Sequence, residues 1–174
     1  MERADERGSL VAALRAHGIR FLAGGDGESE LTPPELSAAL AKHPDPRLHL
    51  ALTAVFLLHP EWAAWVPEVV RQLDAAAAVE LQARYMAAVY LQRLWRTRLR
   101  YYVRDFKLLP DLYSQELGLP PSDERYGKVG LVALAEWHAQ YSAYPFNRLA
   151  SYYKAADLLL GQLRAEANEF APTG

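Results

Sequence analysis

The chain has 174 residues, of which 51% are apolar and 23% charged, with a net charge of −2 and no cysteine. That length suits one domain, residues 1–174, able to bury a core without a metal or disulfide. The missing cysteine excludes disulfides, thiolate metal sites and cysteine nucleophiles, and the near-balanced charge excludes a global field toward nucleic acid or membrane.

The first ten residues are mostly charged or small and offer no apolar stretch of the kind a signal peptide needs. No run reaches the roughly 18–20 apolar residues of a membrane span. A cytoplasmic protein that does not enter the membrane is therefore expected.

Helical signals dominate in chain order. Leu10, Val11 and Leu14 share a face of a first helix over residues 4–17, stopped by Gly18. Residues 23–31, with Gly24, Gly25, Asp26 and Gly27, read as a flexible loop. Thr32 followed by Pro33, Pro34 and Glu35 forms a capping box that opens a second helix. Asp45-Pro46 repeats the cap-plus-proline device before the apolar run Leu48–Leu58, a buried helix. His59-Pro60-Glu61 opens another helix toward Leu73, which Pro67 should split or kink. These short helices suggest an α-solenoid-like N-terminal half, although no internal repeat is visible.

Asp74 is placed to cap a long central helix reaching Phe106, with Ala75–Ala78 supplying strong propensity. Asp111–Leu117 predicts a short helix closed by Gly118. Ser122-Asp123-Glu124 predicts the cap of a helix to about Ser142. Pro145 and Asn147 mark a break before a last helix over 148–167, and residues 168–174 read as a frayed tail. No segment shows sustained strand alternation. The expected fold is all-α, a single-domain bundle of seven or eight helices around one long central helix.

The central helix carries the sharpest chemical feature. Arg93, Arg96, Arg100, Arg104 and Lys107 recur at steps of three and four, and so share one face. Ala88, Trp95, Leu99, Tyr102 and Phe106 lie roughly opposite and predict a core face. Between Ala75 and Lys107 seven basic residues stand against two acidic ones. The stripe reads in three ways. It can be a docking face for an acidic protein, a phosphate track with Tyr90 or Tyr101 stacking beside it, or a plain face that is either solvated or neutralised by the protein's own carboxylates. Glu116, Asp123, Glu124 and Asp157 are candidates for that neutralising role.

Other chemistry lacks the spacing it needs. The five histidines, His17, His43, His49, His59 and His138, contain no HExxH pair, so no metal or cofactor is expected. The glycines at 24–27 are not followed by the lysine of a phosphate loop. No serine sits in GxSxG, and Ser151 falls inside a helix. Glu136 and His138 do not share a helix face. The arginine–histidine spacing of helical HEPN ribonucleases is absent, the nearest arginine before His138 being Arg125.

Two stretches together resemble a known family. One runs from Asp45-Pro46-Arg47 to Leu57-Leu58-His59-Pro60-Glu61. The other joins Ala87-Ala88-Val89-Tyr90-Leu91-Gln92 to Leu109-Pro110-Asp111, Glu116-Leu117-Gly118-Leu119-Pro120, Ala150-Ser151-Tyr152 and Leu158-Leu159. The set resembles an uncharacterised family of small all-helical bacterial proteins often encoded beside minimal nucleotidyltransferases. The resemblance implies a protein partner in a toxin–antitoxin-like pair and transfers no active-site residue. Leu14-Arg15-Ala16-His17-Gly18-Ile19-Arg20-Phe21 with Gly24-Gly25 resembles the start of a nucleotidyltransferase, but the metal-binding Asp-x-Asp/Glu that should follow is missing. The expectation is a non-enzymatic interaction module, an adaptor or regulatory partner. The alternative is a nucleic-acid-binding helical module using the arginine stripe. An enzyme of unrecognised type remains the third reading.

Overall fold

The computed structural model describes residues 2–25, 29–142 and 148–169. The described chain is helical, with no strand: α1 (Glu2–Ala16), α2 (Pro33–Lys42), α3 (Pro46–Leu58), α4 (Val66–Gln72), α5 (Ala75–Leu94), α6 (Arg96–Tyr102), α7 (Lys128–Tyr141) and α8 (Arg148–Glu169). Two 3-10 helices, Pro60–Trp65 and Glu124–Gly127, precede α4 and α7. None of the described helices is long and apolar enough to cross a membrane.

Local chemistry sets the starts of the early helices. The Thr32 hydroxyl accepts from the Glu35 amide and the Glu35 carboxylate accepts from the Thr32 amide, so the capping box is complete. Asp45 accepts from the Arg47 amide at 2.9 Å, and Asp74 accepts from the Ala77 amide at 2.9 Å. The split expected near Pro67 is present. A 3-10 helix ends at Trp65, and Pro67 sits in the first turn of α4, where its missing N–H is harmless.

Helix α5 is the axis of the bundle. Every residue from Ala83 to Gln92 is buried, so this stretch is surrounded on all sides. It packs against α2, α3, α4, α7 and α8. Because α3 also packs on α8, the N-terminal helices wrap a shared centre and do not stack in neighbouring pairs as a solenoid would. One hydrophobic cluster extends from Leu10 to Leu160.

Three sequence expectations need correction. The helix foreseen from Asp74 to Phe106 is broken at Trp95, whose backbone (φ −111°, ψ 32°) leaves the helical range. No proline or glycine marks this break. The redirection sets Trp95 against Tyr153, ring centroids 5.8 Å apart, and packs α6 on α8. Residues 111–117 form turns, because Asp111 accepts from the Ser114 amide and hydroxyl (2.9 and 2.6 Å) and from the Ser122 amide (3.3 Å). The helix foreseen from Ser122 begins only at Lys128. A Cβ at position 127 would stand 2.3 Å from the Tyr90 carbonyl oxygen, so only Gly127, at φ 85°, allows this approach to α5. At the start of the 23–31 loop, arginines of α1 reach the backbone. Arg15 donates to the carbonyls of Gly24 (2.6 Å) and Gly25 (2.9 Å), and Arg7 to that of Ala23 (3.3 Å). Residues 26–28, the Pro145 and Asn147 break and the tail beyond Glu169 lie outside the described residues.

Between α6 and the second 3-10 helix the chain is irregular, and α5 side chains hold it. Gln92, fully buried, donates to the Lys107 carbonyl at 2.9 Å and accepts from the Leu109 amide at 2.6 Å. The Tyr85 hydroxyl donates to the Pro110 carbonyl (2.7 Å) and the Tyr90 hydroxyl to the Pro120 carbonyl (2.9 Å).

Candidate functional site

The break at Trp95 redistributes the predicted stripe. Arg93, at the end of α5, is part-buried and faces Asp123 at 3.4 Å, while donating to the Val89 carbonyl at 3.1 Å. Asp123 is one of the carboxylates that the sequence nominates for this role. Arg96 and Arg100 are exposed on α6, and Arg104 and Lys107 are exposed just beyond it. Arg98 joins them, its guanidinium 4.8 Å from the Trp95 ring centroid. Arg96, Arg98, Arg100, Arg104 and Lys107 form no ion pair among the described residues. Self-neutralisation therefore holds for Arg93 and fails for the rest.

The two tyrosines proposed beside the stripe part company. Tyr101 is 80% exposed, whereas Tyr90 has no exposure. Tyr90 cannot meet a ligand, because its ring is clamped under α7: a Cβ at Gly130 would lie 2.0 Å from the ring. The expected core face is also only partly right. Ala88 and Leu99 are buried, while Trp95, Tyr102 and Phe106 are half-buried at its margin.

Two cavities flank α6 and share Arg96. The larger, about 670 Å³, has Leu94 and Trp95 beside Arg96, Arg98, Asp123 and Tyr126. The smaller, about 350 Å³, lies between Arg96, Arg100, Phe106, Lys107 and Leu108. Tyr126 is a site residue that sequence reasoning misses. It is 78% exposed and, with Arg125, adopts the left-handed backbone (φ 56° and 48°) that non-glycine residues rarely take.

A second group of polar residues, also missed, lies inside the bundle. Glu80 and Arg84 of α5, His49 of α3, His138 of α7 and Tyr152 of α8 are each 1% exposed or less. The Glu80 carboxylate can only accept, so His138 donates to it from Nε2 at 2.8 Å. The neutral ring then accepts at Nδ1 from the Tyr152 hydroxyl at 2.7 Å. Ser142 donates to the other Glu80 oxygen at 2.5 Å. His49 donates from Nε2 to the His43 carbonyl at 2.7 Å and places Nδ1 3.7 Å from Glu80. Arg84 donates to Ser151 at 3.0 Å and stands 5.5 Å from the Tyr152 ring centroid.

Charge states follow from this packing. Burial acts to raise the Glu80 pKa, but hydrogen bonds from His138 and Ser142 outweigh it and hold the group at about 2. Burial, aided by the Arg84 charge, drives His49 down to about 4. Burial lowers His138 as well, against the pull of Glu80. The hydrogen-bond order from Tyr152 through His138 to Glu80 is that of a proton relay, yet these groups are all enclosed. In this conformation the cluster joins α3, α5, α7 and α8 and presents no reacting atom to a substrate. Among the described residues no group of histidines and carboxylates is arranged to hold a metal ion.

No protein-family model, curated protein or solved structure matches the chain.

Proposed function

We propose that the protein is an interaction module that docks an acidic partner protein on the surface around α6. The observation that carries this reading is the set of five exposed cations without carboxylate partners among the described residues, Arg96, Arg98, Arg100, Arg104 and Lys107, interleaved with Trp95, Tyr101 and Tyr126. Arginine, tyrosine and tryptophan are the residues that dominate binding hot spots. Tyr101 lies one helical turn beyond Arg98, so an aromatic and a cation are presented side by side.

A protein partner fits better than nucleic acid. The whole chain is slightly acidic, and apolar surface at Leu94, Trp95, Phe106 and Leu108 lines the same cavities as the arginines. A phosphate backbone would use the cations and leave that apolar surface wet. The family resemblance adds a regulatory, antitoxin-like role toward another bacterial protein such as a nucleotidyltransferase.

The test uses tagged protein as bait in nuclease-treated lysate of the native host, with an Arg96→Glu/Arg100→Glu double variant beside it. The expected result is a partner held stoichiometrically by the wild type and lost by the variant, whose thermal midpoint stays nearly unchanged because both side chains are exposed. The same partner titrated against purified protein should bind with modest salt dependence. A partner retained equally by the double variant would refute the assignment. Binding to oligonucleotides with a steep salt slope would favour the nucleic-acid reading instead.

A further inference from the structure

The larger cavity beside α6 specifies more than charge. Its apolar surface comes from Leu94 and Trp95, exposed to the cavity because the helix turns aside at position 95. Tyr126 lines the same cavity, largely exposed, with left-handed backbone at both 125 and 126. These two residues lead directly into Gly127, which passes close against the Tyr90 carbonyl. Backbone strain of this kind persists only where packing over-determines it. Tyr126 thus lines the cavity from a fixed backbone without being part of the core.

The charges around the cavity are of one sign apart from Asp123, which already faces Arg93 at 3.4 Å. Arg96 and Arg98 have no carboxylate among the described residues, and Arg98 lies over Trp95. The wall therefore offers two uncompensated cations beside an aromatic pair. Its volume, about 670 Å³, exceeds one aromatic side chain and admits the backbone that carries it. A cationic ligand is repelled here. A purely anionic one leaves Leu94, Trp95 and Tyr126 uncovered.

We infer that this cavity receives one bulky apolar side chain from an acidic segment of the partner, seated between Trp95 and Tyr126, with flanking carboxylates paired to Arg96 and Arg98. This inference rests on the docking reading above and adds the chemistry of the segment that enters.

The test is fluorescence anisotropy with four labelled probes of equal length. They are a peptide of alternating Asp and Glu around a central Phe, the same peptide with Ser at the centre, the Phe peptide with Lys replacing every acid, and a single-stranded oligonucleotide. Each is titrated with the wild-type protein, a Tyr126→Asn variant and an Arg96→Glu/Arg98→Glu variant. Asn tolerates the left-handed backbone, so Tyr126→Asn should melt like the wild type. The acidic Phe peptide should bind at least tenfold tighter than the Ser peptide, and the Lys peptide not at all. Tyr126→Asn should weaken the Phe peptide at least fivefold and leave the Ser peptide unchanged, while the double arginine variant should lose both. Equal binding of the Phe and Ser peptides would overturn the inference while leaving docking through the arginines intact. Failure of the wild type to bind the Phe peptide at millimolar concentration would also overturn it, with the docking reading then decided separately by lysate capture. An oligonucleotide bound tighter than every peptide would overturn both.

Discussion

Gly130→Ala places a methyl closer to its surroundings than at any other described glycine. A Cβ at this position would lie 2.0, 2.3 and 2.5 Å from three atoms of the Tyr90 ring. The ring has no exposure, and its hydroxyl is anchored to the Pro120 carbonyl at 2.9 Å, so it cannot swing away without breaking that bond. Overpacking of this kind costs about 1–3 kcal/mol, and the contact distances put it at the upper end. Loss of the hydroxyl bond adds about 0.5–1.5 kcal/mol. The better helix propensity of alanine returns about 0.5–1 kcal/mol. The net expectation is a loss of about 2.5–4 kcal/mol, a large share of the roughly 5–15 kcal/mol that holds a domain folded. Urea denaturation followed by helical circular dichroism measures it, with Gly161→Ala as the internal control. Gly161 lies exposed in α8 with nothing within 4 Å of an added methyl, so that change should stabilise by about 0.4–1 kcal/mol. A Gly130→Ala protein as stable as the wild type would refute the close packing of α7 on α5, and with it the explanation for the burial of Tyr90.

Two further predictions concern the enclosed cluster. Glu80→Gln keeps the shape of the side chain but removes the negative charge that stands among Arg84, His49 and His138, so stability should fall by about 3 kcal/mol, and an unchanged urea midpoint would refute the role given to Glu80. Acid should weaken the fold in two stages, because the folded-state pKa values are depressed. Between pH 6.5 and about 4 the unfolded chain takes up a proton at His49 that the folded protein refuses, so stability falls as pH drops through this window. His138 acts with the same sign. From pH 4.5 to about 2 the stabilisation from ionised Glu80 is lost in turn. Urea midpoints measured from pH 8 to pH 3 should decline monotonically below about pH 6.5, and a flat profile down to pH 4 would contradict a neutral, enclosed His49.

What can be read from the sequence is what is decided locally. The caps at Thr32, Asp45 and Asp74 are two- and three-residue devices, and each forms as its chemistry dictates. The break at Trp95 has no local marker, since it is set by the fit of Trp95 and α6 against α8. Whether Arg96 and Arg100 are exposed or paired is left open by the sequence, and the short helix after the break exposes both. Tyr90 is misplaced by sequence reasoning because the glycines that let α7 close over it lie far along the chain. Glu80 and His138 meet across 58 positions, beyond any spacing rule. One signal is available: Glu80 and Arg84 stand one turn apart in a stretch whose other residues from Ala75 to Gln92 are apolar or aromatic apart from Gln82 and Gln92, a pattern that points to ionised groups held within the bundle.

The Gln92 side chain ties the outer surface to the centre of the molecule. Residues 107 and 109 meet no neighbouring strand or helix turn through Lys107 C=O and Leu109 N–H; both groups are satisfied by one amide on α5. The position of Lys107, at the edge of the cationic surface, is thus inherited from a residue that never sees solvent. A substitution at Gln92 would shift this stretch of the cationic surface from behind, so the core and the arrangement of surface charge are not independent in this protein.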